Sequence, residues 1–186
     1  MHQFVISSMT DLLKAQGIER DLWFAEAGIA GEALDDAEFF NAALADRLCG
    51  AAIRLSKDAD LGLKLGQTLT VTSLGMFGYA LMTSPTVGST LKLLLRYNRA
   101  LLPSIDISLQ HSALVSQLII KGEHLPKPLQ RFYIDAMSAS FLTNIKILAP
   151  HALTDLAIEL SYQRSADNAL LDAIFGDCQI RFNSDR

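Results

Sequence analysis

From residue 65 to residue 91 the chain has no charged side chain, although charged residues make up 19% of the whole. This gap is not a membrane span. Gln67, Thr68, Thr70, Thr72, Ser73, Ser84 and Pro85 interrupt it, and crossing a bilayer takes about 20 predominantly apolar residues. It reads as the buried middle of a folded domain, punctuated by Gly66, Gly75, Gly78 and Gly88. An excess of positive charge is missing too. The net charge is −4, which argues against this polypeptide, by itself, gripping nucleic acid through a basic face.

Cysteine is scarce. Cys49 and Cys178 have no metal-binding or redox spacing, and a lone cysteine on an apolar stripe behaves as a small core residue. His2, His111, His124 and His151 fall in the N-terminal tail or in predicted turns, none at ligand spacing from a cysteine or carboxylate, so no metal is expected. No Gly-x-Ser-x-Gly elbow occurs, and the glycines lack the Lys-Ser/Thr ending of a phosphate loop. No acid–base pair or activated nucleophile is visible, so neither enzyme activity nor a cofactor is expected. His2-Gln3-Phe4 opens straight into a helical pattern without an export leader, which makes a reducing cytoplasm the expectation.

Half of the residues are hydrophobic, enough for one core in a chain of 186 residues. Helical periodicity predicts helices over 4–16, 21–27 and 37–55, the first two stopped by Gly17 and Gly28. The third contains Leu44-Ala45-Asp46-Arg47-Leu48-Cys49-Gly50, a phrase like the start of a helix-turn-helix. The segment after it, Ala51-Ala52-Ile53-Arg54-Leu55, is too apolar for a recognition helix. The phrase belongs to a core helix. Two further helices follow, over 76–83 and 85–101, with Thr83 or Ser84 capping the second.

The period then changes to two. Residues 105–109 and 114–121 alternate as an antiparallel hairpin, followed by a helix over 128–148, a strand over 156–162, a helix over 166–175 and a strand over 178–182. The expected fold is α+β. A helical half is followed by a small, mainly antiparallel four-stranded sheet (β-β-α-β-α-β) packed against helices.

Polar residues in apolar surroundings are the candidate ligand-binding groups: Tyr79, Arg96, Tyr97, Arg99, Tyr133 and Asn144. Small-molecule sites combine aromatic walls with a few such groups, and guanidinium suits a carboxylate or phosphate. The plainer alternative has the arginines in solvent and the tyrosines filling the core.

Longer phrases carry a resemblance. Leu61-Gly62-Leu63-Lys64-Leu65-Gly66 is followed by Leu74-Gly75-Met76-Phe77-Gly78-Tyr79-Ala80, then by Ser84-Pro85-Thr86-Val87-Gly88 leading to Leu94-Leu95-Arg96-Tyr97. Near the end come Ile174-Phe175-Gly176 and Ile180-Arg181-Phe182. Together they resemble, over nearly the whole chain, the N-terminal regulatory domain of one branch of AraC-type bacterial transcription regulators.

The resemblance implies a single domain over 1–186 that binds a small-molecule effector and forms a homodimer. In full-length members a C-terminal double helix-turn-helix domain follows. Its absence from this chain leaves DNA contact to that missing part, and no membrane partner is implied. The branch is often labelled arabinose-binding, but this chain has neither a His-x-His pattern nor an all-β run, so arabinose is not assigned. The alternative is a dimerisation module with no physiological ligand.

Overall fold

The computed structural model describes residues 2–29, 41–73, 75–101, 104–111, 116–150, 156–160, 162–163, 169–176 and 178–182, with backbone alone at 2, 87, 94, 97–101, 111 and 116. Three helices come first: α1 (His2–Lys14), α2 (Arg20–Glu26) and α3 (Ala42–Ser56). Gly17 and Gly28 end the first two with φ of +78° and +65°, the left-handed region that L side chains avoid. Asn41 caps α3, its Oδ1 accepting from the Leu44 N–H at 3.0 Å. The predicted start of that helix, 37–40, lies outside the described residues.

The helix-turn-helix-like phrase is one continuous part of α3, with Ala45, Leu48 and Cys49 buried. Leu48 accepts a 2.8 Å hydrogen bond from the Trp23 indole. Arg47 donates to the Ala27 and Gly28 carbonyls and so closes the end of α2.

The uncharged stretch divides. It begins inside α4 (Leu61–Thr68), a helix buried at Leu61, Leu63 and Leu65. A 3-10 turn (Val71–Ser73) leads to α5 (Gly75–Met82), where Gly78 and Leu81 are buried but Met76, Tyr79 and Met82 are exposed. This corrects the reading of the whole stretch as interior. An eight-residue helix that is apolar all round buries only the side it lays on its neighbours. In α6 (Val87–Leu101) the cap is Thr86 and not Thr83 or Ser84: Thr86 and Ser89 exchange side-chain and backbone hydrogen bonds at 3.0 and 3.1 Å.

Strands β1 (Asp106–His111) and β2 (Ser116–Lys121) form the expected antiparallel hairpin, Asp106 opposite Lys121 and Leu109 opposite Leu118. The longest helix, α7 (Lys127–Leu148), is followed by β3 (Ala157–Leu160), α8 (Ala169–Phe175) and β4 (Gln179–Phe182). The element order agrees with the α+β expectation, but the four-stranded sheet does not form. Among the described residues there are two separate two-stranded sheets, and β3 pairs with β4 in parallel, Ala157 opposite Gln179. Alternation fixes which side chains of a strand share a face but does not name its partner. The return through α8 makes β3 and β4 run the same way.

Two apolar clusters share one wall. Met9, Trp23, Leu48, Leu65, Phe132 and Met137 belong to the first. Leu63, Ile134, Leu142, Leu160, Leu171 and Phe175 belong to the second. Helices α4 and α7 contribute to both. They approach closely because Gly62 and Gly66 leave room: a Cβ on Gly62 would meet the Phe132 carbonyl, and one on Gly66 the Ala136 carbonyl. Among the described residues no helix is long and apolar enough to cross a membrane.

Candidate functional site

The six residues named from the sequence are distributed over three helices. Tyr79 stands on α5 with 65% of its surface exposed, and Arg96 is on the exposed side of α6. Tyr97 and Arg99 follow on α6, with side chains outside the described residues. Tyr133 and Asn144 are both on α7. Their positions are eleven residues apart in sequence, about 16 Å along the axis at 1.5 Å per residue.

Each of these two has protein partners. The buried Tyr133 hydroxyl donates to Asp46 Oδ1 at 2.8 Å, tying α7 to α3. Burial, then the charges of Cys49 and Asp46, raise its pKa. Burial also pushes the neighbouring Cys49 thiol up to about 12, so it is an inert thiol. Asn144 donates to the Leu69 carbonyl at 2.9 Å and accepts from the Val71 N–H at 2.6 Å. It therefore fixes the chain where α4 ends and the 3-10 turn begins.

A further polar group lies between the two clusters. Asp135 on α7 is 1% exposed, and its Oδ1 accepts the Tyr162 hydroxyl. Its Oδ2 is 3.5 Å from Arg131 Nε, one helical turn earlier, an ion pair without a hydrogen bond. The Arg131 guanidinium is 4.9 Å from the centre of the Tyr162 ring, which meets Phe182 edge-on. Burial raises the Asp135 pKa to about 6, against the opposing pull of the Tyr162 hydroxyl and the Arg131 charge. The Tyr162 pKa is raised by burial and then by the Asp135 charge. Sequence reasoning passed over this group. Its signal was a carboxylate at 135 inside the apolar run Ile134 to Met137, four residues after an arginine.

Arg131 also lines a half-open cavity of about 360 Å³ between α3, the loop after it, α4 and the first turns of α7. Ile53, Pro128 and Phe132 supply apolar wall, while Asp58, Lys127 and Arg131 supply charge. Asp58 is already satisfied. Its Oδ2 takes Lys64 Nζ at 2.6 Å and Gln16 Nε2 at 3.0 Å, and its Oδ1 takes the Asp60 N–H at 2.9 Å. Burial alone would raise its pKa, but the bonds from Lys64 and Asp60 outweigh it and hold the carboxylate below its usual range. Lys127 and Arg131, the latter ion-paired with Asp135, also line the cavity. Among the described residues no three His, Cys, Asp or Glu side chains gather as metal ligands.

Residues 17–186 match the family described as the arabinose-binding domain of AraC transcription regulators, N-terminal. Over 118 residues, 63% of the chain, it is 27% identical to an uncharacterized HTH-type transcriptional regulator of Mycobacterium tuberculosis, covering 34% of that protein. The counterpart in Mycobacterium bovis matches with the same figures. Over 98 residues, 50% of the chain, it is 33% identical to the ornithine utilization regulator of Pseudomonas aeruginosa, covering 28% of it. The matched segments span about a third of the length of these curated relatives.

Proposed function

We propose that this chain, which belongs to the family of AraC-type transcription regulators through its N-terminal arabinose-binding-type domain, senses a small-molecule effector. The family is one of transcription regulators, not of enzymes. In this reading effector binding controls DNA contact or activation by a helix-turn-helix segment elsewhere in the full-length regulator. The setting is the bacterial cytoplasm, and the active form is a homodimer.

The observation that carries the reading is the half-open cavity whose Arg131 also reaches the buried Asp135–Tyr162 pair. An effector there touches α3, which belongs to the first apolar cluster, and α4 and α7, which contribute to both. A shift in their packing is the kind of two-state change that a ligand biases through unequal affinity. The relatives' printed names do not fix the effector. One points to ornithine utilization and the family description to arabinose.

A thermal-shift screen tests the proposal, with L-ornithine and other amino acids, L-arabinose, organic and fatty acids, and cyclic nucleotides. A ligand binding only the folded chain adds about 2.7 kcal/mol at a hundred times its dissociation constant. A saturable rise in Tm for any member supports a sensor.

A second reading, a dimerisation module without a ligand, rests on Met76, Tyr79 and Met82, which α5 leaves exposed. A flat screen, together with a concentration-dependent dimer in sedimentation that is lost in Met76→Lys, favours it.

A further inference from the structure

We infer that the cavity between α3, α4 and α7 binds a small carboxylic acid with a short apolar body, its carboxylate held by Lys127 and Arg131. The inference rests on the sensor reading above and names the effector's chemical class.

Three observations carry it. First, the charge facing the cavity is unbalanced. The carboxylate of Asp58 is engaged by Lys64, Gln16 and the Asp60 N–H, whereas Lys127 and Arg131, the latter ion-paired through Nε with Asp135, line the same space. Second, Arg131 is held in place while part of it stays open. Its buried Nε faces Asp135 Oδ2 at 3.5 Å and its guanidinium lies over the Tyr162 ring, yet the side chain is 32% exposed. A guanidinium carries five N–H donors in a planar fork that matches a carboxylate. Third, the remaining wall is apolar, from Ile53, Pro128 and Phe132.

Size and charge narrow the class. A volume of about 360 Å³ is at the small end for ligand sites. That suits a compact acid and leaves little room for a cyclic dinucleotide. Lys127 and an Arg131 already paired with Asp135 offer little charge for a dianion, so a monoanion fits better than phosphate.

The site also has a route to the rest of the fold. A carboxylate on Arg131 competes with Asp135 for the same guanidinium. The Asp135–Tyr162 bond, which reaches the second apolar cluster, then answers to occupancy of the cavity.

The test is calorimetric titration of the whole chain with benzoate and butyrate, against benzamide and butyramide, which keep the shape and remove the charge. L-arabinose and inorganic phosphate complete the set. The acids are expected to bind roughly tenfold or more tighter than their amides, and Lys127→Gln and Arg131→Met each to weaken them by a similar factor. Lys127 is exposed, so its variant folds even if Arg131→Met does not. Arg96→Ala/Arg99→Ala is expected to leave the affinity unchanged.

Equal binding of an acid and its amide, or saturable binding of L-arabinose or phosphate but not of the acids, overturns the inference and leaves the sensor reading standing. So does acid binding that is lost in the Arg96/Arg99 variant and kept in the Lys127 variant, because the site is then on α6. If no acid binds at about 10 mM, where even millimolar affinity registers, the inference falls. If nothing in the broader thermal-shift screen binds either, the sensor reading falls with it.

Discussion

Gly66 of α4 and Ala139 of α7 meet so closely that a Cβ on Gly66 would stand 2.7 Å from the Cβ of Ala139. The Ala136 carbonyl is nearer still, so backbone, not a flexible side chain, blocks the added methyl. Gly66→Ala therefore forces the two helices apart, and its expected cost is about 1–3 kcal/mol. Gly88 on α6 is the control, since a Cβ there meets only Thr86 Oγ1 at 3.9 Å. Gly88→Ala is expected to leave stability unchanged or raise it by up to about 1 kcal/mol. Urea unfolding of both variants checks the pair, and equal effects would mean that the close crossing is not what holds α4.

Asp135 makes stability depend on pH. Its folded pKa of about 6 is above that of an exposed aspartate, so between about pH 4 and pH 6 the folded chain keeps a proton that the unfolded chain has released. Stability from this group is greatest at the acid end and falls as pH rises through that window, by about 3 kcal/mol in all. Asp58, with its lowered pKa, acts in the opposite sense, losing its contribution as pH falls. The difference between the chain and its Asp135→Asn variant isolates Asp135. That difference is expected to change across pH 4–6 and to be level above it, which unfolding curves at four or five pH values would show.

Asn144 closes a gap that backbone alone leaves open. Its amide serves the Leu69 carbonyl and the Val71 N–H at once. Asn144→Leu keeps the branched shape and removes both hydrogen bonds, with an expected cost of about 2–3 kcal/mol. Amide exchange at Val71 should quicken far more than exchange at Leu48 in α3. Uniform quickening along the chain would instead show a general loss of stability with no local role for Asn144.

Most helices were legible because their signals are local, but α4 was not, since Leu61, Leu63 and Leu65 repeat at an interval of two and carry no helical period. Gly17 and Gly28 stop α1 and α2 where a left-handed residue is needed, and Met9 and Leu13 repeat at the helical period. The β1–β2 hairpin was legible from alternation. The pairing of β3 with β4 was not, because it is settled by a crossover through α8 and not by either strand's pattern. Tyr133 and Asn144 stood out as polar residues in an apolar helix, but their partners, Asp46 and Leu69, are far away in sequence. Arg131 and Asp135 were passed over, although their i, i+4 spacing in an apolar run is a sequence signal. The cavity beside them was not legible, since it exists only where α3, the loop after it, α4 and α7 converge.

Lys57 ends α3 in the left-handed region, with φ 51° and ψ 23°. Gly17, Gly28 and Gly75 hold the other positive φ values among the described residues, and Lys57 is the one position there with a side chain. A non-glycine residue in this conformation costs roughly 1–2 kcal/mol through the clash of its Cβ with the following carbonyl. Replacing it by glycine removes that clash but frees the unfolded chain, which returns about 0.5–1 kcal/mol. Lys57→Gly is therefore expected to stabilise the domain by about 0.5–1 kcal/mol. Gly17→Ala, which introduces the same clash in open space at the end of α1, is expected to lose a similar amount. Thermal unfolding of the two variants should move in opposite directions, and a loss in Lys57→Gly would mean that the lysine side chain, not its backbone angle, decides how α3 ends.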